Sequence, residues 1–334
     1  MNKAAVVLAL AALSLPVGAR SEVGVGELLI VDKSAGQLVR LDLSSGTVTA
    51  RVDVGFGPHE VVSIAGEDSP TGTPLAVVSL YGTGPRPGSA IALVDLTSGA
   101  VSEVGIAPFT RPHGLAHVPG TFLVLVTVEA QDSLVVVDIS GGALASSVAI
   151  GSSTPHMVVA APDGTAGYVS AIAGGSVARV AVPGNGITTA SVGPGAEGIA
   201  LAGGGTSLWV GSNDSNSVYV LDAQTLGEVQ IIQTCGVPIR VTSVGVGLMA
   251  ATCMNDAQVQ FFDVDTFDLV STVTLPGATG RPVGTLASPD GAWLYVATTA
   301  DGRVHEIDVA AGIVTRSFDV GVEPDGLAFG PGAY

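Results

Sequence analysis

Apolar residues in this chain fall in short runs separated by glycine, proline and aspartate. Runs of that length, bounded by turn formers and rich in valine, read as β-strands. One type of run closes on an acid at Asp42, Asp95, Asp138, Asp222, Asp263 and Asp308, and a further copy has Ala181 in that place. The steps between these positions are 53, 43, 43, 41, 41 and 45 residues. A second apolar run precedes each, starting at Leu28, Leu75, Phe122, Tyr168, Leu208, Leu248 and Leu294. A third run follows and ends in or near glycine. An x-Pro-x-Gly junction then often leads into a fourth. Pro162-Asp163-Gly164 and Pro289-Asp290-Gly291 signal tight turns between units.

Four short strands repeated seven times, with a period of roughly 44 residues, predict an all-β, seven-bladed β-propeller with four antiparallel strands per blade. A β-sandwich would not keep one period through seven repeats, and a β-helix would use shorter units. The phase predicts the closure. The repeat begins with a second strand at Leu28 and ends with residues 324–329, which match the first strands elsewhere. The C-terminal strand is expected to complete the blade begun by residues 28–54, a velcro closure that removes open sheet edges. Residues 20–334 then form a single domain.

Tyr168-Val169 and Tyr295-Val296 with the downstream Asp308, together with the junction running from Thr154 to Gly164, resemble YVTN-repeat propellers. They are also similar to lactonase-type propellers, in the wider group that includes quinoprotein amine dehydrogenase-like propellers. The resemblance covers residues 28–334. It implies the propeller fold and leaves activity open, because such propellers include surface-layer proteins, periplasmic proteins and sugar-lactone hydrolases. The lactonase resemblance implies His156 or His113 as a channel histidine, with Glu129 or Glu197 and an arginine assisting attack of water on a lactone.

Composition narrows the picture. Glycine supplies 46 of 334 residues, charged residues are 12%, and mean hydropathy is +0.56. Disorder needs the opposite balance. The only long apolar run, residues 4–15, follows Lys3 and leads into Pro16-Val17-Gly18-Ala19. This reads as a secretory signal peptide over residues 1–19, too short to span a bilayer. No transmembrane segment is expected, and a periplasmic or secreted location is. A net charge of -17 argues against nucleic acid as a partner.

Aligned junctions place one residue per blade at the start of the innermost strand: His59, His113, His156, Glu197, Ile239, Val283 and Asp325. Because the ring closes, Asp325 neighbours His59, giving a polar arc Asp325-His59-His113-His156-Glu197 beside an apolar pair. Three of the chain's five histidines share this position. Imidazoles flanked by carboxylates can hold a metal, here one divalent or copper ion on His59, His113, His156, Asp325 and Glu197. The same groups can act as acid and base, with His113, His156, Glu129 and Glu197 as the catalytic set. Both readings stand against inherited repeat residues solvated in a channel.

Arg111, Arg240 and Arg281 sit at junctions on the same face, and arginine forks suit an anionic small ligand. They can equally pair with local carboxylates such as Glu60. Turns on that face hold Tyr81, Glu129, Asn213 and Asn255, so Tyr81, Asn213 and Asn255 join the ligand-binding candidates. Blade two carries insertions at residues 67–74 and 82–89, the latter a candidate lid or rim. Cys235 and Cys253 are expected to form a disulfide in an oxidising compartment, with a soft-metal site at Cys253-Met254 as the alternative. The Gly-rich residues 193–198 fit G-x-G-x-x-G, but no helix follows. His117 and His305 lie off the ring. The function expected is binding of a small molecule or a protein partner at the channel face by a monomer, with a lactonase-type hydrolase or lyase and a purely structural envelope protein as alternatives.

Overall fold

The computed structural model describes residues 24–331 apart from 185, 246 and 278–280. The expected signal peptide lies outside the described residues. Twenty-eight strands form seven four-stranded antiparallel sheets among the described residues, with only three single-turn 3-10 segments between them. The seven-bladed propeller read from the repeat is what the chain forms.

Blade one is closed as the phase predicted. Its innermost strand is the C-terminal Pro324–Phe329, paired with Glu27–Asp32, followed by Gln37–Asp42 and Thr47–Asp53. The other innermost strands are Pro58–Ile64, Pro112–His117, Pro155–Ala160, Ala196–Ala202, Pro238–Val244 and Pro282–Ala287. Six of the seven begin with proline, which has no N–H to leave unpaired at the first residue of a strand.

The apolar faces are buried between blades. One cluster joins Ile64, Val77 and Ile91 of blade two to Val124, Val126 and Val135 of blade three. Another joins Leu28 and Ile30 of blade one to Trp293 and Tyr295 of blade seven. Five more complete the circuit, so every cluster is shared by two neighbours.

The repeated aspartate has a local role. Its Oδ1 accepts backbone N–H bonds two or three residues on, as from Ser45 to Asp42, Ser98 to Asp95, Thr225 to Asp222 and Thr266 to Asp263. This Asx turn sets the reversal between third and fourth strands. Carboxylates so bonded are held below their usual range; hydrogen bonds from Thr73 and Ser98 put Asp95 at about 2.

At the hub, blades approach closely at the residue after the ring position. A Cβ on Gly284 would lie 1.9 Å from the Asp325 carbonyl oxygen, and one on Gly326 would lie 2.7 Å from the Glu60 Cα. Gly114 and Gly198 make the same approach to the next blade, while Glu60, Met157 and Arg240 occupy that position in the other blades. Small and large residues thus alternate around much of the hub.

Gly284→Ala is expected to destabilise the protein by about 1–3 kcal/mol through overpacking against backbone. Gly105→Ala, where nothing lies within 4 Å, should change stability by about 0.5 kcal/mol or less. Urea denaturation of both variants checks this; equal effects would show that hub spacing is not tight.

Candidate functional site

Each innermost strand carries a register shift at the ring position, as between Pro58 and Val61, Pro112 and Leu115, and Pro238 and Arg240. Such β-bulges break the in-out alternation and re-aim side chains. Second-strand hydroxyls support the bulges. Thr127 Oγ1 accepts from the Gly114 N–H at 2.8 Å and donates to the His156 carbonyl of the next blade at 2.6 Å. Ser170 does the same between the Met157 N–H and the Glu197 carbonyl.

The bulges bring the polar arc together in the predicted order. His59 Nδ1 lies 2.9 Å from Asp325 Oδ2. The His59 and His113 rings meet at 4.1 Å between centroids, and His113 and His156 at 3.7 Å. His156 Nε2 reaches Glu197 Oε1 at 3.2 Å, and its Nδ1 reaches Glu129 Oε1 at 2.8 Å. Tyr81 Oη donates to the other Glu129 oxygen at 2.6 Å. Asn213 donates to Glu197 Oε2. Apart from Asn213, these groups line a cavity of about 250 Å³ together with Lys33, Ile239, Arg240 and Val283. A groove of about 830 Å³ adjoins it, sharing Lys33, His59 and Tyr81. The insertion at 82–89 lengthens a hairpin, pairing Gly82 with Pro87 and Thr83 with Arg86, and its Gly82, Thr83 and Gly84 line this groove. It is a rim.

Arg240 lines the cavity and takes the carboxylate-pairing role that the sequence left open, while other candidates lie outside the lining. Arg240 is buried and spans the channel, donating to Glu60 Oε1 at 2.7 Å and Glu197 Oε1 at 3.3 Å. Its charge is already matched, so it is not a free anion fork. Arg111 donates to the Gly84 carbonyl and stacks over Tyr81, bracing the rim from outside the cavity lining. Arg281 and Asn255 are exposed and do not line the cavity. Nor do the five proposed metal ligands converge on one point. Donor atoms cluster instead as His59, Glu60 and His113, and as His113, Glu129 and His156. Sequence reasoning missed Glu60 as a site residue, because strict alternation sends it away from the channel, and missed Lys33, which contacts Asp325 at 3.1 Å. Lys33 is the only lysine after Lys3, a signal that was there to be read.

His117 bonds the Thr121 carbonyl, and His305 is buried between Thr298 and Ser317, both away from the cavity. Cys235 and Cys253 are joined in a disulfide with Cα atoms 5.6 Å apart, so neither thiol is free for a soft metal.

The electrostatics divide the histidines. Burial, reinforced by His156 and His59, pushes the His113 pKa well below 6.5. Burial also opposes charge on His156, but hydrogen bonds to Glu129 and Glu197 outweigh it and push its pKa up to about 8. Burial raises Glu60, and Arg240 only partly offsets this. Asp325 is held well below the usual carboxylate range: burial opposes this, and His59 and Lys33 outweigh it. Lys33, Arg240 and imidazolium His156 thus face four carboxylates: Glu60, Glu129, Glu197 and Asp325.

Comparison with known proteins agrees with this geometry at the level of fold. The chain is similar in fold to several solved structures. Hydrazine synthase from Kuenenia stuttgartiensis aligns with TM-score 0.67 and 17% identity over 83% of this chain and 90% of that one. A functionally unknown protein from Desulfotomaculum acetoxidans aligns with TM-score 0.73 and 11% identity over 91% and 98%. Dihydro-heme d1 dehydrogenase NirN, solved in complex with DHE, aligns with TM-score 0.65 and 15% identity over 91% and 66%. No protein-family model matches the chain, and no curated protein matches it in sequence. No helix among the described residues is long and apolar enough to cross a membrane.

The His156 pKa rises from about 6.5 unfolded to about 8 folded. Its ion pairs therefore stabilise the fold fully below pH 6.5, and that contribution is lost as pH rises through 8. In chelator-treated protein, stability should fall between pH 6 and 9 by about 2 kcal/mol more than in His156→Gln. Urea melts across that range measure it; parallel profiles would remove the assignment.

Proposed function

We propose that this chain is an exported, monomeric YVTN-type propeller that binds one small cationic ligand in the cavity at its channel mouth. The observation that carries the reading is Asp325. Each cation lining the cavity is already paired, and Asp325, which lines it too, is 1% exposed with its contacts to His59 and Lys33 off hydrogen-bond direction. Buried acceptors left short of donors favour an incoming cation. The anionic ligand suggested by the arginines loses support, since Arg240 is neutralised and Arg111 and Arg281 stand outside. A cavity of about 250 Å³ suits a metal ion with a small ligand, or a small amine. NirN was solved with a ligand bound, and that is consistent with proteins containing propellers of this shape serving as binding scaffolds.

A second reading has its own observation. His113 and His156 stack at 3.7 Å while their pKa values are driven apart, which separates a base from an acid. In a lactonase-type hydrolysis, neutral His113 would take a proton from the attacking water. His156 would give one to the ring oxygen as the acyl C–O bond breaks.

Thermal melts with zinc, copper or magnesium chloride, ethanolamine or sodium gluconate test the first reading. A cationic member of the panel should raise Tm by about 5 °C at a hundredfold excess over Kd. The rise should vanish in Asp325→Asn, and gluconate should have no effect. Stabilisation by gluconate alone, or by no compound, would sink it. For the second reading, pH-stat assay of an aldonolactone should show turnover reduced about 100-fold or more in His113→Gln; no turnover above buffer ends it.

A further inference from the structure

The arrangement of nitrogen and oxygen donors narrows the ligand further, in an inference that rests on the cation-binding reading above. One donor atom from each of His59, Glu60 and His113 lies within 4.8 Å of the other two. His113 is the key member. Its side chain is buried, with 2% exposure, it lines the cavity, and its Nδ1 has no hydrogen-bond partner. A buried ring nitrogen without a partner is costly, and polar groups of this kind are left unsatisfied where something else completes them.

His59 supplies the second nitrogen. Its Nδ1 lies 2.9 Å from Asp325 Oδ2, and Lys33 contacts the same oxygen at 3.1 Å. The contact is off hydrogen-bond direction, so His59 Nδ1, like His113 Nδ1, is buried without a hydrogen-bond partner, and a carboxylate stands beside it. Glu60 supplies oxygen. Arg240 engages its Oε1, which orients the carboxylate.

The competing cluster of His113, Glu129 and His156 is less suited. His156 contacts Glu129 and Glu197 through its two ring nitrogens, so an ion there would break one of those contacts and displace the proton that makes it.

We propose that His59, Glu60 and His113 bind one divalent first-row transition ion of the zinc or copper type at the channel mouth. Two imidazoles and one carboxylate suit these metals, whereas calcium and magnesium take all-oxygen sets. Three protein ligands leave at least one coordination position open. The adjoining groove shares His59 with the cavity, so a small exchangeable ligand can reach the ion from that side.

The purified protein, stripped with EDTA, is titrated with zinc chloride by calorimetry and with cobalt chloride by visible absorption. One ion per chain is expected, with affinity reduced at least about 100-fold in His59→Gln and His113→Gln and changed only a few-fold in His156→Gln. Calcium chloride should not compete. Retention of the ion in His113→Gln, or equal loss in His156→Gln, would overturn the ligand set. If no metal binds but ethanolamine still raises Tm, the metal site fails while the broader cation-binding reading survives. If neither binds, both fail. Should the glutamine variants misfold by near-UV circular dichroism, electron paramagnetic resonance of the copper-loaded wild type decides. Coupling to two nitrogens supports the site, and coupling to none or one refutes it.

Discussion

No blade of this protein owns a core. Each apolar cluster is shared between two neighbours, so a sheet of four short strands buries its faces only when both neighbours are in place. Area removed from water, at roughly 25 cal/mol per Å², therefore accrues at interfaces. That constraint accounts for the closure at blade one. Pairing of Pro324–Phe329 with Glu27–Asp32 joins the two chain ends in one sheet. It also seats Leu327 in the cluster shared with Trp293 and Tyr295, and Ala328 in the cluster shared with Val61 and Val78.

Crowding at the hub follows from the same arrangement. Seven innermost strands meet around one axis, and bulges at a common position relieve the ladder there. Turning two successive side chains inward is a consequence. His59 with Glu60, and Ile239 with Arg240, come from single bulges. Burial disfavours charge on both neighbouring histidines, and they differ in proton affinity because Glu129 and Glu197 hydrogen-bond His156 while His113 faces the charges of His156 and His59.

Much of this was legible in the chain, for physical reasons. A repeated period survives in a sequence because each unit must fit identical neighbours, so blade number, closure and ring register could be read from Asp42 to Asp308 and from His59 to Asp325. The order of the polar arc followed from register alone. What could not be read was direction. Glu60 was legible only as a carboxylate near the arginines, and the bulge is what lets it meet Arg240 across the axis. Lys33 sits in blade one's second-to-third-strand turn, the equivalent of the turns that hold Glu129 and Asn213, so it too was legible by position. Arg111 and Arg281 have left-handed backbone, with φ of 59° and 41°, a conformation that sequence position does not disclose.

The bond between Arg240 and Glu60 joins residues 180 apart, from blades three steps away around a ring of seven. Both groups are buried, so Glu60 without Arg240 would be an uncompensated charge. Only a closed ring with the right number of blades sets them face to face. A misassembled ring of six or eight would strand them, which gives the polar hub a bookkeeping role: it counts the blades.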